Sequence, residues 1–259
     1  MGEVHENKAK RGFAGFLRAL INAAVELLYP RGAWCPGCHE PIDGARGWLC
    51  DKCQEDLDAA LITAPVCRRC GRPIPREGAS CAECAAWPDD VLASVHAVYV
   101  YAAPVDNIVR AYKYRGISAM ATWLGGMMAH RLDDLLGDLD RPDLLVPVPM
   151  HKAKQRKRGY NQAELLAAEM GALLHIPVVT AIARARKTRA QAGLTGDQRQ
   201  LNLRGAFRPL VDLTGKHLLL IDDVLTTGST ALECAQTLRS AGATSVRLVV
   251  LAATIPREY

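Results

Sequence analysis

The residues best equipped for chemistry lie in one stretch near the C-terminus, Asp222-Asp223-Val224-Leu225-Thr226-Thr227-Gly228-Ser229-Thr230. Two adjacent carboxylates can accept hydrogen bonds from a vicinal diol or help hold Mg²⁺. Thr226, Thr227, Ser229 and Thr230 add hydroxyl donors, and Gly228 lets the backbone approach a ligand closely. The flanks supply the elements that must position them. Leu218-Leu219-Leu220-Ile221 is an unbroken apolar run, the pattern of a parallel strand buried on both faces, and a helical pattern runs from Ala231 to Ser240. Open α/β sheets bind ligands beyond the carboxyl ends of their strands. A helix N-terminus presents unpaired N–H groups and a positive dipole end, which favour a phosphate. The stretch therefore reads as a site for a ribose 5-phosphate.

A strand–turn–helix with one capping hydroxyl would explain neither the paired aspartates nor the glycine. The order of residues resembles the motif by which type I phosphoribosyltransferases bind phosphoribosyl pyrophosphate (PRPP). That motif is a hydrophobic strand, two acidic residues, two apolar positions, then Thr-Thr-Gly-x-Thr, and every position matches. On that resemblance Asp222 and Asp223 are the catalytic-type residues, contacting the ribose hydroxyls. Thr226, Thr227, Gly228, Ser229 and Thr230 hold the 5-phosphate.

The second chemical feature is cysteine. Eight of the nine form Cys-x-x-Cys pairs: Cys35/Cys38, Cys50/Cys53, Cys67/Cys70 and Cys81/Cys84. Each pair can present two thiolates from one knuckle, and two pairs complete a tetrahedral Cys₄ site for Zn²⁺. The surrounding segment is short of long apolar runs, so metal should supply much of its folding energy. Two structural zinc ions are expected. Sequential pairing is the simplest arrangement, and a cross-brace of first pair with third is the other. A closed Cys₄ site has no open position, which assigns it structure and recognition. His39 could also ligate, but four thiolates per site suffice. Cys234 suits a small buried apolar position. Trp34, Trp48 and Trp87 flank the knuckles, either exposed to stack on nucleic-acid bases or packed beneath them.

The remaining elements fit an α/β chain. A strand is expected over Val91–Tyr101, helices from Pro104 to Tyr114 and from Ser118 to Leu136, and a buried strand over Leu144–Pro149 whose prolines end ladder pairing. A basic loop follows, with five cations in the seven residues Lys152–Arg158, then a helix through Leu174. Such a run is costly to hold together without anions, though a solvated basic loop would need none. Val178–Ile182 suggests another strand. Arg184–Leu194 is polar and basic without period, as in a mobile loop closing on an anionic ligand. A last strand is expected over Ser245–Ala252, with Gly242 ending the helix before it.

The 259 residues and net charge of +5 fit one sizeable core with a small module attached, and the later clusters of cations fit an anionic ligand or nucleic acid. No apolar run approaches membrane-span length. Gly12–Leu28 is apolar on one side but carries Arg18, Asn22 and Glu26 and lacks a small-residue cleavage site, so no signal peptide is expected. An amphipathic helix packing on a neighbour is its first reading, and contact with a membrane surface the second. Nine cysteines without a secretory signal point to a cytoplasmic protein, with the inner face of the membrane as the surface that helix would meet.

Taken in order, the cysteine knuckles, Lys113-Tyr114, Val146-Pro147-Val148-Pro149, Arg158-Gly159-Tyr160-Asn161-Gln162, Gln191-Ala192-Gly193-Leu194, Asn202-Leu203-Arg204-Gly205-Ala206-Phe207 and the PRPP-type loop resemble the ComF family of the ComFC type, linked to natural competence. The resemblance implies three parts: an N-terminal amphipathic helix (residues 1–29), a double zinc ribbon (30–90), and a type I phosphoribosyltransferase-like parallel sheet flanked by helices (91–259). It implies PRPP with Mg²⁺ as ligand, with Arg156, Arg158, Lys187 and Arg189 facing pyrophosphate. It further implies a part in uptake and handling of transforming single-stranded DNA, with DNA and recombination proteins as partners. An active transferase, displacing pyrophosphate at the anomeric carbon in favour of an unidentified acceptor, is the alternative. The sequence starts Met1-Gly2, without an N-terminal nucleophilic cysteine, and has no glutaminase-sized region, so the glutamine-hydrolysing half of an amidophosphoribosyltransferase is not expected.

Overall fold

The computed structural model describes residues 34–42, 47–63, 65–75, 81–114, 118–136, 141–185 and 205–256. The N-terminal helix expectation, the basic loop with Lys187 and Arg189, and the Gln191–Leu194 and Asn202–Arg204 motifs lie outside them. In chain order the elements are α1 (Asp51–Ala59), β1 (Ser94–Val100), α2 (Val105–Tyr114), α3 (Met120–Leu136), β2 (Leu144–Pro147), α4 (Lys152–Arg158), α5 (Gln162–Leu174), β3 (Ile182–Arg184), β4 (Phe207–Pro209), β5 (His217–Leu225), α6 (Ser229–Ser240) and β6 (Ser245–Ala253). Among the described residues no helix is long and apolar enough to cross a membrane.

Four strands form one parallel sheet in the order β1-β6-β5-β2. Its apolar runs serve two cores because alternate side chains leave opposite faces. Leu218 and Leu220 of β5 and Leu248 of β6 pack with Leu232, Ala235 and Leu238 of α6 on one face. Leu219, Ile221, Val249 and Leu251 pack with Ile108, Leu124 and Leu166 of α2, α3 and α5 on the other. Helices on both faces of a parallel sheet make this a doubly wound α/β fold.

Two expectations change. The Val178–Ile182 strand shrinks to a parallel bridge between Val178 and Leu145. Leu145 N–H donates to Pro177 O and Val179 N–H to Leu145 O, extending the sheet by one rung beyond β2. A tight turn, Ala181 N–H to Val179 O, then carries the chain out of the sheet into β3, which pairs antiparallel with β4. The basic Lys152–Arg158 segment is a helix, not a loop. His151 Nδ1 accepts from Ala153 N–H at 3.1 Å to start α4, Gly159 at φ 87° ends it, and three cations sit at the favourable C-terminal end of its dipole.

The cysteine segments straddle the β1 edge of the sheet. Cys35, Cys53 and Leu57 belong to the α2/α3 core, whereas Cys67, Cys70, Cys81, Cys84 and Trp87 belong to the α6 core. Between them the chain pairs with β1 itself: Ile62 N–H donates to Val98 O, and Val100 N–H to Ala60 O, both at 2.9 Å. This covers an edge that would otherwise present open backbone groups. Asn107 Nδ2 donates to Gly37 O at 2.8 Å, and Arg131 Nη2 to Ile62 O at 3.0 Å. The Cys67–Cys70 knuckle lies so close to β1 that a Cβ on Gly71 would stand 2.1 Å from Val95 O.

Candidate functional site

From the carboxyl end of β5 the chain turns through α6 to β6 on one side. From β2 it turns through α4 and α5 to Val178 on the other. The two connections diverge, which opens a crevice between them. A cleft of about 500 Å³ lies there, lined by Asp222 through Ala231 on one wall and by Val148, Pro149, His151, Lys154, Arg158 and Gln162 on the other, with Lys113 and Arg184 also reaching it. The structure thus brings together Asp222, Asp223, Thr226, Thr227, Gly228, Ser229, Thr230 and Arg158. Arg156 is exposed and is not among the cleft-lining residues. On a helix, Lys154 and Arg158 are four residues apart and share a face, while Arg156 points elsewhere.

The loop after β5 is open to a ligand. Gly228 occupies the N-cap of α6 at φ 79°, with no side-chain cap and no acidic residue in the first turn. Within the loop Thr227 Oγ1 and Ser229 Oγ are 2.9 Å apart. Ahead of it stand the two aspartates. Lys113 Nζ lies 2.8 Å from Asp223 Oδ1. Burial lowers the Lys113 pKa, but the charge of Asp223 and this hydrogen bond outweigh it and raise the ammonium above its ordinary range. Asp222 Oδ1 accepts from Asp223 N–H at 2.9 Å. Burial, then the neighbouring Asp223 charge, pushes Asp222 up to about 7, against the pull of that N–H and of Lys113. Across the cleft, partial desolvation and the charges of Arg184, Arg158 and Lys113 push Lys154 down. Crowded cations opposite a helix N-terminus are suited to an anion with several charges.

Lys113, Arg184, Asn161 and Gln162 acquire roles here that their sequence context did not give them. Asn161 Nδ2 donates to Val148 O and its Oδ1 caps α5 at Ala163 N–H, joining the end of β2 to the helix start. Tyr160 donates to Tyr112 O, and Tyr112 Oη donates to Gln162 O at 3.1 Å. Arg158 lies 4.9 Å above the Tyr114 ring and donates to Gln162 Oε1. Gln162 is buried. The signal that could have found Lys113 is its place at the end of the helix that follows β1.

The cysteines form two groups, Cys35/Cys38/Cys50/Cys53 and Cys67/Cys70/Cys81/Cys84, with all sulfurs of a group within 4.8 Å of one another. Pairing is sequential. Zn–S bonds of about 2.3 Å set tetrahedral S···S edges of about 3.8 Å. Cys38 and Cys50 are 3.8 Å apart, Cys67 and Cys84 3.5 Å, and Cys70 and Cys81 3.4 Å. Burial raises the Cys67 thiol, but the N–H groups of Cys81, Cys70 and Arg69 outweigh it and bring it down to about 6. Cys35 is held at about 7 in the same way by Cys50, Cys38 and Gly37. Both groups fit a structural zinc ion. Buried Arg72 pairs with Glu83, between Cys81 and Cys84, which joins the two knuckles of the second group. Of the tryptophans, Trp34 is 60% exposed, Trp48 stacks on Trp123 at 6.2 Å, and Trp87 is buried; the expectation of an exposed ring is met at Trp34 alone of the three.

Residues 24–85 match the Double zinc ribbon domain family, and residues 156–258 the Phosphoribosyl transferase domain family. The chain is 31% identical over 236 residues to the DNA utilization protein YhgH of Escherichia coli O157:H7, covering 88% of this chain and 100% of that protein. It is 29% identical over 232 residues to Competence protein F of Haemophilus influenzae, covering 84% of this chain and 96% of the relative. It is 26% identical over 187 residues to Competence protein ComFC of Bacillus subtilis, covering 70% and 74%. Because the likeness takes in the cysteine knuckles and the sheet together, over the full length of the Escherichia coli protein, this chain belongs to the ComF family of competence-related proteins.

Proposed function

We propose that the cleft binds PRPP with Mg²⁺. One observation carries this reading. The paired aspartates and the uncapped Thr226–Thr230 turn share a cleft with four cations, Lys113, Lys154, Arg158 and Arg184. Thr226 to Thr230 receive the 5-phosphate, Asp222 and Asp223 accept from the ribose hydroxyls, and Lys154, Arg158 and Arg184 face pyrophosphate. Mg²⁺, when bound, neutralises part of the pyrophosphate charge, and the carboxylates are the hard oxygen donors that suit it. Titration of PRPP with Mg²⁺ by calorimetry tests the reading, and pyrophosphate release with candidate acceptors separates binding from transfer. Binding should depend on pH. Below about 7 the free protein holds a proton on Asp222, which a diol or metal must displace. Affinity should therefore rise through that pH, by up to about tenfold per unit below it. Asp222→Asn should be flat by comparison, apart from titration of the ligand itself. A parent profile no steeper than that of Asp222→Asn defeats this assignment.

A second anionic partner is favoured by the back of α4. Lys152, Arg156 and Lys157 are exposed and lie outside the cleft. With Trp34 exposed on the first ribbon, this suits single-stranded DNA, consistent with relatives named for DNA utilization and competence. We infer that the chain handles transforming single-stranded DNA in the cytoplasm. Each phosphate contact contributes about −0.7 to the log–log salt slope on single strands. Changing Lys152, Arg156 and Lys157 to Ala should make the slope shallower by about two units while sparing PRPP binding. An unchanged slope would remove this face from the DNA reading.

A further inference from the structure

Trp87 stands directly behind the phosphate-type loop. A Cβ placed on Gly228 would lie 2.1 Å from Trp87 Cζ2 and 2.6 Å from Cη2, closer than any side chain could remain. Within the loop Gly228 has no side-chain cap, Thr227 Oγ1 and Ser229 Oγ lie 2.9 Å apart, and the Ser229 N–H contact to Thr227 Oγ1 is long, at 3.5 Å. The main chain that carries the ring behind it is held by both knuckles of the second cysteine group. Trp87 N–H donates to Cys84 O at 3.0 Å, at the end of the Cys81–Cys84 turn. From the Cys67–Cys70 knuckle, Arg69 donates to Trp87 O and pairs with Asp89 at 2.7 Å. The ring is 7% exposed and shares the α6 core with Leu232.

We propose that Trp87 is a positioning residue for the Gly228 loop, and that the second ribbon sets the shape of the phosphate pocket through it. The consequence for binding rests on the proposed role of Thr226–Thr230; the mechanical link does not. A rigid ring against a glycine fixes where the loop backbone can lie, while the positive φ at Gly228 turns the chain into α6. With the ring removed, the loop can relax toward the vacated space. A displacement of about 1 Å costs a ligand site on the order of tenfold to a hundredfold.

The test uses full-length protein with Trp87→Ala, Trp87→Phe, Arg69→Ala and, as control, Leu173→Ala at an exposed position near the C-terminal end of α5. Three readouts are needed: zinc content, amide hydrogen exchange, and calorimetry with PRPP and Mg²⁺. Trp87→Ala should keep two zinc ions and exchange about tenfold faster at residues 226–231 than the parent, with smaller changes at 232–240. Its PRPP affinity should fall at least about tenfold. Trp87→Phe should recover most of both, Arg69→Ala should show the same signature at lower amplitude, and Leu173→Ala should match the parent. Exchange that rises evenly through the chain, or a loop indifferent to Trp87→Ala, overturns the proposal. Should Trp87→Ala not fold, Trp87→Leu leaves a smaller void and carries the same comparison with Trp87→Phe. If the parent binds no PRPP yet the exchange contrast holds, the ligand reading fails and the positioning role stands.

Discussion

Asp222→Asn combined with Asp223→Asn is expected to weaken binding of PRPP with Mg²⁺ by at least about tenfold. Each charge-assisted acceptor contributes roughly 1.5–3 kcal/mol, and about 1.4 kcal/mol corresponds to a factor of ten. The change also deprives Lys113 of its 2.8 Å partner, leaving a largely buried ammonium without its counter-charge. An opposing effect must be weighed. Two negative charges leave a cleft meant for an anion, and each lost repulsion at about 6 Å is worth between about 0.7 and 3 kcal/mol as the effective dielectric falls from 80 to 20. Both effects act on PRPP, where Mg²⁺ neutralises part of the charge, but only the second acts on metal-free pyrophosphate. PRPP needs acceptors for its diol and donors for Mg²⁺, whereas inorganic pyrophosphate without metal needs only positive charge. The double variant should therefore lose PRPP with Mg²⁺ and bind metal-free pyrophosphate as tightly as the parent, or more tightly. Equal PRPP affinity in the variant and parent would refute the role of the aspartates. Parallel loss of both ligands would show a collapsed cleft instead.

Much of this site was legible because it is local. Leu218–Ile221, the aspartates and the Thr226–Thr230 turn are contiguous, so strand, carboxylates and helix start follow from one pattern. The Cys-x-x-Cys spacing likewise fixed the ligands in pairs. What escaped was set by packing between distant segments. The cation run of α4 carried no apolar period to announce a helix, and the split between Lys154 and Arg158 facing the cleft and Arg156 facing away exists only once the helix does. Lys113 was visible but unassigned, since its partner Asp223 is more than a hundred positions away. Sequential pairing of the cysteines could be favoured from spacing, yet nothing in the sequence placed the two groups on opposite faces of the sheet. Nor could it set Trp87 beneath Gly228, a contact between two ordinary-looking residues.

That placement leads to the largest expected effect, the response to metal removal. A small ribbon hung on an independent sheet would lose its own order on chelation and leave the sheet's melting transition where it was. Here the first cysteine group completes the core under α2 and α3, the second completes the core under α6, and the Ala60–Ile62 linker closes the edge of β1. Structural zinc sites contribute on the order of 10–16 kcal/mol to the folding of the segments that bind them. Whole domains are stable by only about 5–15 kcal/mol. Even a fraction of the metal term, transmitted through shared cores, rivals the stability of the entire chain. Thiol-protected protein stripped with a strong zinc chelator should therefore lose the cooperative transition of the sheet, seen by calorimetry and circular dichroism, together with PRPP binding. Adding back two equivalents of Zn²⁺ per chain should restore both. Cys50→Ser should lower the zinc content from two to one and shift the melting transition down. A stripped protein that still melts at the parent temperature would show that the sheet folds without its ribbons, and that the contacts across β1 are accommodating rather than supporting.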